Sequence, residues 1–171
     1  MHSILLSTPW FNVYSYGVMI AVGYSIATLW IVREAKQDGL PGETVFDMLL
    51  FQLIVGVFGS RFFFMIESGE IFNPSVSFFD FERGGLTFYG CGFSSLAFDL
   101  IFLRINNLPY FRVMDCVGMG LPLGIAFSRV GCFLNGCCYG IPCDYPWGVV
   151  FPKISPQTPL HPTQLYESLA G

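Results

Sequence analysis

The stretch FNVYSYGVMIAVGYSIATLWIV, residues 11–32, contains no Lys, Arg, Asp or Glu. As a helix it is long enough to cross the roughly 30 Å of hydrocarbon in a bilayer. The residues before it are equally free of Lys, Arg, Asp and Glu. A cleaved secretion signal opens on positive charge and closes on a small-residue site; MHSILLSTPW carries no Lys or Arg, so this helix is expected to stay in the mature protein. Trp10, Phe11, Tyr14 and Tyr16 crowd its start as an interfacial aromatic belt does, and Arg33 and Lys36 follow its end. That places the N-terminus outside and Arg33 in the cytoplasm.

The rest of the chain has the same character. Of 171 residues, 53% are hydrophobic, 19 are Phe and only 12% are charged. A soluble domain carries about 25% charge, so too few charged side chains exist here to cover a water-facing surface. The formal net charge of −4 leaves no basic patch for phosphates, which excludes a nucleic-acid partner. After the Leu40-Pro41-Gly42 break, a second apolar run extends from Thr44 to about Ile66, interrupted by Arg61. A third, about Leu86 to Leu103, follows Arg83-Gly84-Gly85 and contains Asp99; a fourth, Val113 to about Leu134, contains Asp115 and Arg129. From Gly136 to Pro162 the chain is dense in Gly, Pro, Cys and Trp, which predicts an ordered outer-face loop or a re-entrant segment. A further helix begins near Pro162. The expected fold is an all-α, polytopic membrane bundle of four to five spans, forming one transmembrane domain over residues 1–171. In this topology Lys and Arg divide evenly, with Arg33, Lys36, Arg104 and Arg112 inside and Arg61, Arg83, Arg129 and Lys153 outside. The orientation therefore rests on the first helix, with Arg61 and Arg129 discounted because they sit within apolar runs.

An ionisable side chain inside a membrane segment costs at least about 2.5 kcal/mol on insertion scales, so each needs a reason. For Arg61 and Asp99 the ordinary reasons are snorkelling to the interface or an internal pair between helices. Arg129 stands among Gly118, Gly120, Gly124, Gly131, Gly136 and Gly140, and such a density of small residues lets backbones approach one another or a ligand closely. A guanidinium in that setting, near the outer leaflet, suits bidentate binding of an anionic headgroup. The segment from His161 to Glu167 reads equally as helix-opening chemistry and as a site, and His161 as a general base or a satisfied structural histidine.

Six cysteines, at 91, 116, 132, 137, 138 and 143, invite a metal or redox reading. No Cys-x-x-Cys pair occurs, and their spacing matches no zinc or thioredoxin-like pattern, so no metal is expected. A disulfide among Cys132, Cys137, Cys138 and Cys143 and simple apolar packing both remain open. Nucleotide-binding, esterase and metalloprotease motifs are absent.

Several segments, in order along the chain, resemble the prolipoprotein diacylglyceryl transferase family. Ser15-Tyr16-Gly17-Val18-Met19 is similar to the family's first-helix Tyr-Gly motif, and Arg83-Gly84-Gly85-Leu86-Thr87-Phe88-Tyr89-Gly90 to its Gly-Gly-x-x-Phe-His/Tyr-Gly segment. Asp115 falls where the family opens its fourth helix with Asp. Ser128 to Gly136, followed by Tyr139-Gly140, resembles Gly-Arg-Ile-Gly-Asn-Phe-Ile-Asn-Gly, and His161 to Glu167 resembles His-Pro-Ser-Gln-Leu-Tyr-Glu. The departures are Ser128 in place of Gly, Cys132 in place of Asn, Cys137 where an acid is common, and Tyr89 where some members have His. The family typically has seven spans, so the resemblance implies a shortened relative or a fragment, incomplete at the C-terminus.

The resemblance implies transfer of the diacylglyceryl group from phosphatidylglycerol to the lipobox cysteine thiol of a preprolipoprotein, at the bacterial cytoplasmic (inner) membrane near its outer leaflet. The partners are phosphatidylglycerol, signal peptides of preprolipoproteins and membrane lipid, with no cofactor. Arg129 would hold the phosphate. Tyr16, Asn135, Gly140, Asp115 and Glu167 would line the headgroup site, and Tyr89 or His161 would orient the thiol or accept its proton. A Tyr pKa near 10 makes Tyr89 a better hydrogen-bond donor than base. Two other classes compete: a membrane thiol oxidoreductase using the Cys132 to Cys143 cluster, and a non-catalytic lipid-binding membrane protein.

Overall fold

The computed structural model describes residues 4–7, 12–69, 87–152 and 158–170. A short hairpin pairs Ile4–Ser7 (β1) antiparallel with Asn12–Tyr14 (β2), and four long helices follow: Ser15–Gln37 (α1), Gly42–Glu67 (α2), Phe88–Ile105 (α3) and Tyr110–Asn135 (α4). Two-residue strands Val149–Val150 (β3) and Pro159–Leu160 (β4) then pair antiparallel before the helix Thr163–Ala170 (α5). Helices α1 to α4 are each long and apolar enough to cross a bilayer, and the chain is an all-α multi-pass membrane protein. Large apolar side chains such as Leu29, Phe51, Ile101 and Phe111 are exposed, as a lipid-facing surface requires.

Each span lies within a few residues of its sequence-based position. The difference at the first is instructive. Asn12–Tyr14 are strand, so Tyr14 belongs to the hairpin and the helix opens only at Ser15. The β-branched Val13 and aromatic Tyr14 suit a paired strand, and cross-strand partners override continuation of the helix. Trp10, Phe11, Arg83, Gly84, Gly85, Leu86 and Lys153 lie outside the described residues.

The described residues cluster into two compact units. The second unit, residues 32–115, is built on the packing of α2 against α3. Its core holds Ala35, Val45, Met48, Leu49, Met65, Leu103 and Val113. A Cβ on Gly90 would stand 2.6 Å from Phe63 Cβ and 2.8 Å from the Gly59 carbonyl, so these backbones meet only because a glycine is there. Ser60 and Thr87 clasp the same junction: Ser60 Oγ donates to the Thr87 carbonyl (2.8 Å) and Thr87 Oγ1 to the Ser60 carbonyl (3.2 Å). Arg61 is buried, with its guanidinium carbon 5.5 Å from the centre of the Phe64 ring, a cation–π distance, so snorkelling does not describe it. Asp99 is buried too, and its Oδ2 accepts a hydrogen bond from Gln52 Nε2 (2.8 Å).

The first unit, residues 1–31 and 116–171, packs α1 against α4 through small residues. A Cβ at Gly23 would lie 2.6 Å from Phe127 Cβ, and one at Gly131 would lie 3.1 Å from Met19 Cβ and 3.2 Å from Tyr16 Cδ2. Beyond α4 the loop has its own core: Phe151 is fully buried, with the Tyr139 ring 5.3 Å and the Phe133 ring 6.1 Å away. Of the segment expected as an ordered loop, residues 136–152 and 158–162 are described, and this aromatic cluster gives them apolar burial of their own.

Candidate functional site

Helix α4 ends in a Schellman turn that organises everything after it. The Cys137 N–H donates to the Cys132 carbonyl (3.1 Å) and the Gly136 N–H to the Phe133 carbonyl (3.1 Å). Gly136 has φ +76°, the left-handed conformation this turn needs and a side chain resists. The turn sends residues 137–143 back to run alongside β4. The Gly140 N–H donates to the His161 carbonyl (2.9 Å), the His161 N–H to the Ile141 carbonyl (3.0 Å) and the Cys143 N–H to the Pro159 carbonyl (2.9 Å).

Two side chains at the start of α5 complete the junction. Thr163 Oγ1 donates to the Cys138 carbonyl (2.9 Å), and Gln164 Nε2 to the Cys137 carbonyl (2.6 Å). Gln164 is fully buried, and its Oε1 finds no hydrogen-bond partner among the described residues. Gly140 is required by close approach, since a Cβ there would lie 2.7 Å from Thr163 Cγ2 and 3.0 Å from His161 Cβ.

This framework holds Arg129, less than two turns before the end of α4. Its Nη2 lies 2.6 Å from Glu167 Oε2 on α5, with about a third of the Arg129 side chain and half of the Glu167 side chain exposed. The guanidinium is thus not enclosed by protein, and its carboxylate partner is half exposed as well. One edge is held, and a fork with five N–H donors retains others for an incoming anion. His161, half-buried, shares a 3.1 Å hydrogen bond between Nδ1 and the Tyr166 hydroxyl, and its ring stands 6.2 Å from that of Tyr145. The other ring nitrogen, Nε2, is outside that bond.

The first unit therefore gathers Tyr16, Arg129, Asn135, Gly140, His161 and Glu167 from the expected site. Tyr16 packs against Gly131 and shares a hydrogen bond with Ser128, a role for the residue that departs from the family's glycine. Tyr89 and Asp115 fall in the second unit and are exposed there. The glycines around Arg129 play different parts. Gly120, Gly124 and Gly131 face α1, Gly136 and Gly140 shape the loop, and a Cβ on Gly118 would meet nothing within 4 Å. Thr163 and Gln164 were legible as part of a motif but not as ties to the Cys137 and Cys138 carbonyls, because that contact exists only once the loop has returned.

The family model for prolipoprotein diacylglyceryl transferase matches residues 3–171. The chain belongs to that family. Among its relatives are proteins named phosphatidylglycerol–prolipoprotein diacylglyceryl transferase from Clostridium tetani, 31% identical over 99% of this chain and 69% of the relative, and from Clostridioides difficile, 30% identical over 90% and 61%. A third, from Bordetella bronchiseptica, is 33% identical over 89% of this chain and 60% of its own length. The chain thus spans 60–69% of these family members.

Proposed function

We propose that this chain transfers the diacylglyceryl group of phosphatidylglycerol to the lipobox cysteine thiol of a preprolipoprotein signal peptide, at the outer leaflet of the bacterial cytoplasmic membrane. The observation that carries the reading is Arg129, partly exposed and, among the described residues, paired with Glu167 through Nη2. The names of the relatives, which state this donor and this class of acceptor, support it.

The reaction forms a C–S bond at the glycerol carbon and breaks the C–O bond to phosphate. Glycerol phosphate departs with the bonding electrons, and the thiol gives up its proton. Negative charge grows on the phosphate as it leaves, so a fixed guanidinium stabilises the transition state more than the ground state. Arg129 supplies that charge. Glu167 orients it, so the fork does not have to be ordered when substrate arrives. Tyr16, Asn135 and Gly140 line the headgroup side. His161, steadied at Nδ1 by Tyr166, presents Nε2 to the thiol proton.

The test is transfer from phosphatidylglycerol to a lipobox peptide by the membrane-embedded chain. Arg129→Ala is expected to lower turnover about 10²- to 10³-fold, as loss of one anion-stabilising group does elsewhere. Expression and melting should change little, because a half-exposed ion pair contributes at most about 1 kcal/mol. Retained transfer removes the assignment.

A further inference from the structure

We propose that Cys132, Cys137 and Cys138 form a binding site for one soft, thiophilic metal ion of the Zn2+ or Cu(I) type. Their three Sγ atoms lie within 4.8 Å of one another, and all three cysteines are free thiols. An ion bonded to sulfur at about 2.3 Å sets its ligand sulfurs about 4 Å apart, so small side-chain adjustments suffice. A disulfide needs the two sulfurs at about 2.05 Å, a much larger closure.

The grouping follows from the backbone rather than from sequence spacing. The Schellman turn brings Cys132, the fourth residue from the end of α4, against Cys137, the second residue past the helix. Cys138, next in the chain, is held at φ +62°, a left-handed conformation costly for a residue with a side chain. Burial falls from Cys132 through Cys137 to Cys138, so the trio is closed on the helix side and open on the solvent side. Asn135 Nδ2 lies 3.6 Å from Cys137 Sγ as a donor to sulfur, the kind of outer contact that steadies a metal ligand.

Binding forms three metal–sulfur bonds and releases the thiol protons to water, with no change of oxidation state. Bound metal staples the last turn of α4 to the loop whose Cys137 and Cys138 carbonyls hold Gln164 and Thr163 of α5. The proposal stands independently of the transferase reading.

The experiment uses the purified, reduced full chain in detergent, titrated with Zn2+ alone against a chromophoric chelator. Cd2+ serves as a second probe whose thiolate charge-transfer band reports sulfur ligation. One equivalent per chain is expected, together with that band and protection of three of the six cysteines from alkylation, located by mass spectrometry at 132, 137 and 138. Cys138→Ser, at an exposed position, should weaken binding at least about tenfold, while Cys91→Ser should not. Equal binding by the parent and Cys138→Ser, protection of other cysteines, or absence of the sulfur band overturns the proposal. If Cys132→Ser or Cys137→Ser fails to fold, the alkylation map of the unsubstituted chain still decides.

Discussion

Replacing Gly140 by Ala adds one methyl group at the tightest point of the loop that returns beside β4. That carbon would stand 2.7 Å from Thr163 Cγ2, 3.0 Å from His161 Cβ and 3.2 Å from the His161 carbonyl oxygen. Two of these atoms are backbone or attached directly to it, so rotation of a side chain cannot relieve the contact. The segment 161–163 has to shift, which strains the 2.9 Å bond from the Gly140 N–H to the His161 carbonyl and the Thr163 tie to Cys138. Overpacking of this kind costs about 1–3 kcal/mol. For a chain of this size that lowers the melting temperature by roughly 2–12 °C. Thermal unfolding in detergent, followed by loss of the monodisperse size-exclusion peak, measures it. The matched control is Gly118→Ala, on α4, where a Cβ meets nothing within 4 Å. Helix propensity favours Ala there by up to about 1 kcal/mol, so melting should hold or rise. A Gly140→Ala protein that melts at or above the parent refutes the packing argument.

Glu167→Gln removes the carboxylate beside Arg129; stability should fall by less than about 1 kcal/mol while the apparent affinity for phosphatidylglycerol falls more, and equal effects on both would make the pair purely structural. Gln52→Leu strips Asp99 of its donor at a buried position and should destabilise the second unit by about 1–3 kcal/mol, read by thermal unfolding, whereas an unchanged melting point would show the 2.8 Å bond contributes nothing. In the metal-free protein, partial burial and then the neighbouring Cys137 push the Cys138 thiol above its ordinary value. It stays protonated through the usual thiol range, and the stability gained from that proton is present at lower pH and lost as pH climbs through the raised value. Alkylation of Cys138 should therefore lag behind that of a free peptide thiol at mildly alkaline pH, and a faster rate would contradict the direction of the shift.

The amino-acid sequence by itself determined the spans. Predominantly apolar runs of bilayer length leave a chain no other way to satisfy its backbone in lipid, so α1 to α4 were readable without any tertiary contact. It also marked Arg129, because a guanidinium among glycines in such a run is costly unless something uses it. What the folded chain alone decided are the contacts made after a turn has reversed direction. The β1–β2 hairpin ahead of α1 depended on a cross-strand partner, and a local reading sees only one strand. The pairing of Arg129 with Glu167, separated by thirty-eight positions, depended on the return of residues 140–143 along β4. The three thiols had no recognisable spacing in the sequence; a single left-handed glycine at 136 gathers them, since a turn of i to i−5 hydrogen bonding joins residues that a linear pattern keeps apart.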